Sequence, residues 1–143
     1  MKNFKKNWLA LLLCLVACLL GVCFVGCNKN EGYAKTEVIA NDEVVAITVV
    51  EATPNTSLLR AMECAQDDKK LTFTTSDGMV TSINGTAQAN NTYWMLYTSD
   101  TENANTAWGT YTYDGQKLGS STLGAESLTI KNGCVYVWVF TKF

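Results

Sequence analysis

The hydrophobic pattern of this chain changes character near residue 28. Residues 8–25 are apolar, the stretch before them reads MKNFKKN with three lysines and no acid, and the chain turns polar at Asn28. A positive end, an apolar run and a small residue ahead of a cut make up the order of an export signal. The positive end stays inside, so the remainder is expected on the outer face of a membrane. Residues 28–43 are polar, mixed in charge and without a clear period. They read as a tether.

Residues 44–50, VVAITVV, are β-branched and apolar in both phases, the pattern of a strand buried on both sides of a sheet. Pro54 stops that strand, and Asn55-Thr56-Ser57 supplies capping residues ahead of LLRAMECAQDDKK. In that run Leu58, Met62 and Ala65, with Leu59 and Ala61 beside them, recur at helical spacing and form one apolar stripe, giving a helix of about three turns. Everything downstream alternates or carries turn signals. LTFT is followed by SDG, MVTSI by NG, then come YWMLYT and the polar loop DTENANT. WGTYTY-DG-QKLG reads as a hairpin closed by Asp114-Gly115. SLTI, a turn at Asn132-Gly133 and the bulky β-branched run CVYVWVF close the chain, the last as a central strand. One helix after a first strand, then many strands, predicts an α+β fold: a small, mostly antiparallel sheet with one helix packed on a face.

Composition narrows the chemistry. The sequence contains no histidine. That removes the Ser-His-Asp and Cys-His nucleophile pairs, His-ligated zinc and the usual acid/base residue near neutral pH, and with no clustered pair of carboxylates either, an enzyme is not expected. Loss of residues 1–26 would leave 117, one domain by length, and would carry the net charge from −2 to −5 as Lys2, Lys5 and Lys6 depart. An acidic domain gives no reason to expect nucleic acid as a partner.

Four cysteines, at 14, 18, 23 and 27, crowd the leader. Around them the segment resembles a bacterial lipoprotein signal, in which a Cys preceded by small and aliphatic residues is diacylated and becomes the first residue of the mature chain. Phe24-Val25-Gly26-Cys27 carries Phe where Leu is usual, whereas Leu15-Val16-Ala17-Cys18 fits the pattern better. Cutting before Cys18 would leave an apolar stub; cutting before Cys27 leaves the polar NKNEGYAKTE. Cys27 is therefore the expected lipidation site, with Cys18 and an uncleaved anchor as open alternatives. The organisation that follows is residues 1–26 as signal, 27–43 as lipidated Cys and tether, and 44–143 as the domain, lipid-anchored on the extracellular face of the cell membrane.

The landmarks of that domain come in a familiar order. A buried strand precedes Thr56-Ser57-Leu58-Leu59 and Ala61-Met62, followed by Thr81-Ser82-Ile83-Asn84-Gly85, then Tyr93-Trp94-Met95-Leu96-Tyr97, then LTIKNGCVYVWVF at residues 128–140. Residues 44–142 resemble the transcobalamin-like C-terminal domain of bacterial surface proteins, related to the small domain of the animal cobalamin carriers. The resemblance implies a transcobalamin C-terminal-like, β-grasp-like fold, a corrinoid such as cobalamin as ligand, and a membrane transporter or surface protein as partner. Where relatives have a short turn after the Tyr-Trp strand, this chain has Thr98-Ser99-Asp100, and residues 108–124 look like an inserted hairpin.

Five aromatic residues are binding candidates. Tyr93 and Trp94 are adjacent in a strand, so at least one should be core. Tyr111 and Tyr113 share a face of the hairpin and, with Trp108, would make a ledge for a flat ligand, a sugar or a peptide. An adhesion or assembly role through that hairpin is the alternative to small-molecule carriage. Outside the cytoplasm Cys64 on the helix and Cys134 ahead of the last strand are candidates for a disulfide. No metal site is expected.

Overall fold

The computed structural model describes residues 32–143, so the expected export signal and Cys27 lie outside the described residues. Among the described residues nine strands and one helix follow one another: β1 (Ala34–Ala40), β2 (Val44–Ala52), α1 (Leu58–Asp67), β3 (Phe73–Ser76), β4 (Met79–Ile83), β5 (Thr86–Ala87), β6 (Thr92–Thr98), β7 (Ala104–Tyr113), β8 (Gln116–Ser121) and β9 (Val135–Lys142). Six form one antiparallel sheet in the order β1-β2-β9-β6-β8-β7, and β3, β4 and β5 form a second, smaller sheet. The class is α+β, mostly antiparallel with one short helix, as the pattern predicts.

β2 and β9 are adjacent interior strands, buried on both sides, because their sequences leave no polar face. Val45, Ile47 and Val49 on β2 and Tyr136 and Trp138 on β9 are buried on the helix side, while Ala46 and Val137 are buried on the other. α1 lays Leu58, Ala61, Met62 and Ala65 on the first face, and Val80 and Ile83 of the small sheet join the same core. The predicted stripe is the buried stripe. The helix has the expected length of about three turns: its 10 residues end at Asp67, and Lys69 turns left-handed at φ 58.

The helix begins where three polar residues compete for the cap, and Ser57 takes it, its Oγ accepting from the Arg60 N–H at 3.1 Å. Helices leave their first N–H groups without internal partners. Here Leu58 N–H donates to the Leu128 carbonyl at 2.8 Å and Leu59 N–H to the Ala125 carbonyl at 2.9 Å. SLTI therefore is not a sheet strand; apart from the single bridge between Ser57 and Thr129 it runs as a loop across the helix start. Its apolar side chains, Leu128 and Ile130, point into the core instead.

Three tight connections are built alike. Asp77-Gly78, Asn84-Gly85 and Asp114-Gly115 all place both residues at positive φ, the geometry that matches the twist of a two-residue hairpin and favours an Asx-Gly pair.

One boundary differs from the sequence reading. The stretch read as tether, 27–43, contains β1: residues 34–40 pair along β2 from Ala34↔Ala52 to Ala40↔Val45. The alternation was weak because the inward positions are Ala34, Thr36 and Val38, one small and one polar, while Lys35 and Glu37 face out. The domain therefore starts by Gly32, whose carbonyl accepts from Arg60 Nε at 3.1 Å.

Two substitutions separate the contributions at the helix start. Ser57→Ala should cost about 1 kcal/mol by loss of the cap. Leu128→Ala, which empties a fully buried site, should cost about 3 kcal/mol. Urea unfolding followed by far-UV circular dichroism measures both.

Candidate functional site

Where β4 of the small sheet approaches β6 of the large one, the layers do not close. A half-open cleft of about 270 Å³ lies between them, lined by Gly78, Met79 and Val80, Gln88, Tyr93, Trp94 and Met95, Gly124 and Ala125, and Trp138. No charged side chain is among these. Two buried indoles line it with different hydrogen-bond states. Trp94 Nε1–H donates to the Thr86 carbonyl at 2.9 Å, which ties β6 to β5. Trp138, 5% exposed, has no acceptor for its Nε1–H. Tyr93 and Met79 form an exposed rim, and the ring of Tyr93 stands 6.1 Å from that of Phe143.

The five aromatic candidates therefore divide. Tyr93 and Trp94 line one cleft, Trp94 as core and Tyr93 as rim, which fits the expectation that one of the pair is buried. Trp108, Tyr111 and Tyr113 do not make a shared ledge. Tyr111 and Tyr113 are on one face of the hairpin as read, but that face turns inward: they pack with Ala46, Leu118 and Val137, and the Tyr111 ring lies 5.7 Å from Tyr97. Trp108 stands apart at 68% exposure. The register jumps from Asn105↔Ser120 to Thr110↔Gly119, so residues 106–109 bulge from β7 without partners on β8 and carry the indole outward.

Met79, Gln88 and Trp138 were not singled out from the sequence. Trp138 is in a run that reads simply as core, and Met79 follows a turn where an exposed Met is unremarked. Cys64 is buried and Cys134 half-buried, both as free thiols, so the disulfide considered for them is not formed. Cys64 faces the core from α1 and Cys134 packs at the edge of that core ahead of β9. Among the described residues no group of three His, Cys, Asp or Glu could hold a metal ion, and no helix is long and apolar enough to cross a membrane.

A polar cluster fixes the loop that follows β6. Asp100, 4% exposed, accepts from Lys131 Nζ at 2.8 Å, from Asn103 Nδ2 at 2.7 Å and from the Glu102 N–H at 3.2 Å. Burial alone would push its carboxyl up, but the hydrogen bonds from Lys131, Asn103 and the Glu102 backbone together hold it below the ordinary value of 3.8. Hydrogen bonds to Asp100 and Glu102 in turn raise Lys131. Nearby, burial pushes the Tyr136 hydroxyl up to about 12, while its oxygen accepts the Lys131 backbone N–H at 3.0 Å. The cluster is a structural clasp between the loop after β6 and the residues ahead of β9.

Compared with protein-family models, with curated proteins and with solved structures, the chain finds no match in any of the three.

The clasp has a pH signature. Asp100 is depressed in the folded state, so its contribution is present above the unfolded carboxyl value and is lost as pH falls through the folded one. Stability should decline from about pH 5 downward, and Asp100→Asn should lower stability at neutral pH while flattening that decline. Urea midpoints between about pH 2.5 and 7 test it; parallel curves for the two proteins would count against the clasp.

Proposed function

We propose that this chain is a non-enzymatic lipoprotein, exported and held at the outer face of the cell membrane through Cys27, whose domain takes an uncharged, apolar edge of a small-molecule ligand into the cleft beside Tyr93 and Trp94. The observation that carries the reading is the cleft: aromatic walls and no charged lining side chain. Ligand sites are usually concave and apolar with few polar groups, and run to roughly 300–1,000 Å³. At about 270 Å³ this one takes an edge of a ligand rather than the whole. The resemblance to transcobalamin-like C-terminal domains, and the β-grasp-like fold it implies, supports a corrinoid as that ligand. A membrane transporter or a second surface protein would then cover the part left outside.

A second reading, adhesion or assembly through the β7–β8 hairpin, draws on one observation: Trp108 is carried outward on its bulge. An exposed indole on a fixed backbone is the kind of group that anchors interfaces. The inward turn of Tyr111 and Tyr113 leaves that reading resting on Trp108 alone.

Titration of the purified protein with cyanocobalamin and cobinamide, followed by calorimetry, tests the first reading, with Tyr93→Ala and Trp108→Ala in parallel. Saturable binding weakened roughly tenfold by Tyr93→Ala and untouched by Trp108→Ala is the expected result. Absence of binding at high micromolar ligand removes the corrinoid reading, and sensitivity to Trp108 alone moves the site to the hairpin. For the anchor, Cys27→Ser should abolish incorporation of labelled palmitate and release the protein from the membrane fraction. Unchanged labelling would assign the lipid elsewhere.

A further inference from the structure

The large sheet ends on β1 at one side and on β7 at the other. Which main-chain groups of β1 face outward follows from the phase of its ladder with β2, because opposite residues in an antiparallel pair alternate between exchanging hydrogen bonds and not. The phase is set at both ends. Asn41 N–H donates to the Val44 carbonyl at 2.8 Å. At the other end Val49, opposite Thr36, donates its N–H to the Cys134 carbonyl at 3.0 Å and accepts from the Gly133 N–H at 2.8 Å, so it bonds away from β1. The register does not shift between Thr36 and Ala40. Glu37 and Ile39 therefore bond to β2, and Thr36, Val38 and Ala40 turn their N–H and C=O groups outward.

These three positions are not equally available. The Thr36 carbonyl accepts from Lys70 Nζ at 2.7 Å, and Thr36 is 2% exposed. Beyond it β1 emerges into solvent. Val38 is half-buried and Ala40 exposed, and among the described residues the outward groups of both make no hydrogen bond. Between them Ile39 is 69% exposed and shares with Ala46 the face turned away from α1. It ends an apolar row that crosses the sheet through Ala46 and Val137 to Tyr97.

We propose that the exposed end of β1 is a self-association edge: β1 of a second copy of this chain pairs with it antiparallel about a two-fold axis through Ile39, joining two six-stranded sheets into one. In this register Val38 of each copy exchanges hydrogen bonds with Ala40 of the other. The two Ile39 side chains meet at a position without such bonds, where opposite side chains approach most closely. The apolar row then runs unbroken from one copy into the next. Registers centred on Thr36, Glu37 or Val38 all require the Thr36 carbonyl that Lys70 holds, and the one centred on Glu37 also sets two carboxylates face to face. Charge favours the Ile39 register. It brings the end of β1 that carries Lys35, with Lys70 above it, level with the exposed turn at Asp42 and Glu43 of the second copy, twice by symmetry. The paired stretch is short, so the dimer is weak in dilute solution. The cleft takes no part in it.

The test is sedimentation equilibrium and amide hydrogen exchange of the purified protein with detergent micelles in large excess, carried to high micromolar protein, together with disulfide cross-linking. Expected are a monomer–dimer equilibrium weakened about tenfold or more by Ile39→Lys, and exchange at the Val38 and Ala40 amides that slows as concentration rises. Exchange at Ile39, already bonded to β2, should not change. Ile39→Cys should give a disulfide-linked dimer with copper–phenanthroline as oxidant, because opposite residues at such a position have Cα atoms about 4.5 Å apart, within disulfide reach. Glu37→Cys should not, nor should the wild-type chain, whose Cys64 is buried and Cys134 half-buried. A protein that stays monomeric and leaves Ile39→Cys unlinked overturns the proposal, and so does association indifferent to Ile39→Lys. Linkage through Glu37→Cys in preference to Ile39→Cys overturns the register. Species that grow beyond the dimer would mean that β1 meets β7 of the next copy, a contact that does not close, and would overturn the two-fold pairing.

Discussion

The start of α1 depends on carbonyl groups from a segment more than sixty residues later in the chain. A helix needs acceptors for its first N–H groups, and two of them are supplied by Leu128 and Ala125. This one docking event links several parts of the molecule. It seats α1 on the sheet, buries Leu128 and Ile130 in the main core, draws the chain away from β8, and sets Gly124 and Ala125 as a wall of the cleft. Helix placement and cleft shape are therefore not independent. A change that loosens residues 124–130 from the helix would open the cleft and uncap the helix together.

The clasp around Asp100 serves the other side of the same layout. Lys131 comes directly after the docked segment, and its bond to Asp100 joins that segment to the loop leaving β6. The carboxylate is nearly out of water, yet several donors converge on it, so ionisation remains favourable despite burial. Tyr136, fully buried beneath, uses its hydroxyl to hold the Lys131 backbone rather than to ionise. Polar groups thus fix the path of two loops where apolar packing would leave their direction open.

What the sequence disclosed follows from how local each signal is. The Asx-Gly pairs announced their hairpins because positive φ at two successive residues is a demand few other pairs meet. VVAITVV announced a strand buried on both faces, and CVYVWVF a central one, because neither offers a polar face. β1 was hidden by Thr36, a hydroxyl at an inward position, and by the charges that alternate with it. The helix-crossing loop was hidden because SLTI alternates like a strand while its Leu128 carbonyl is used by Leu58, at a helix start far upstream in the chain. The cleft was half legible: Tyr93 and Trp94 were visible as a pair, but Trp138 and Met79 join them only through pairing of β9 with β6 and the approach of the small sheet. Tyr111 and Tyr113 were placed on one face correctly, yet no local pattern says that the face turns toward Leu118.

The early start of β1 would, on the proposed anchoring through Cys27, set how far the domain stands from a membrane. From Cys27 five Cα steps lead to Gly32, and a fully extended chain covers at most about 17 Å over that distance. A domain on so short an arm would patrol a thin layer next to the lipid headgroups. There it would meet other proteins of the same membrane more often than molecules in the surrounding medium, and any ligand from outside would first have to diffuse into that layer.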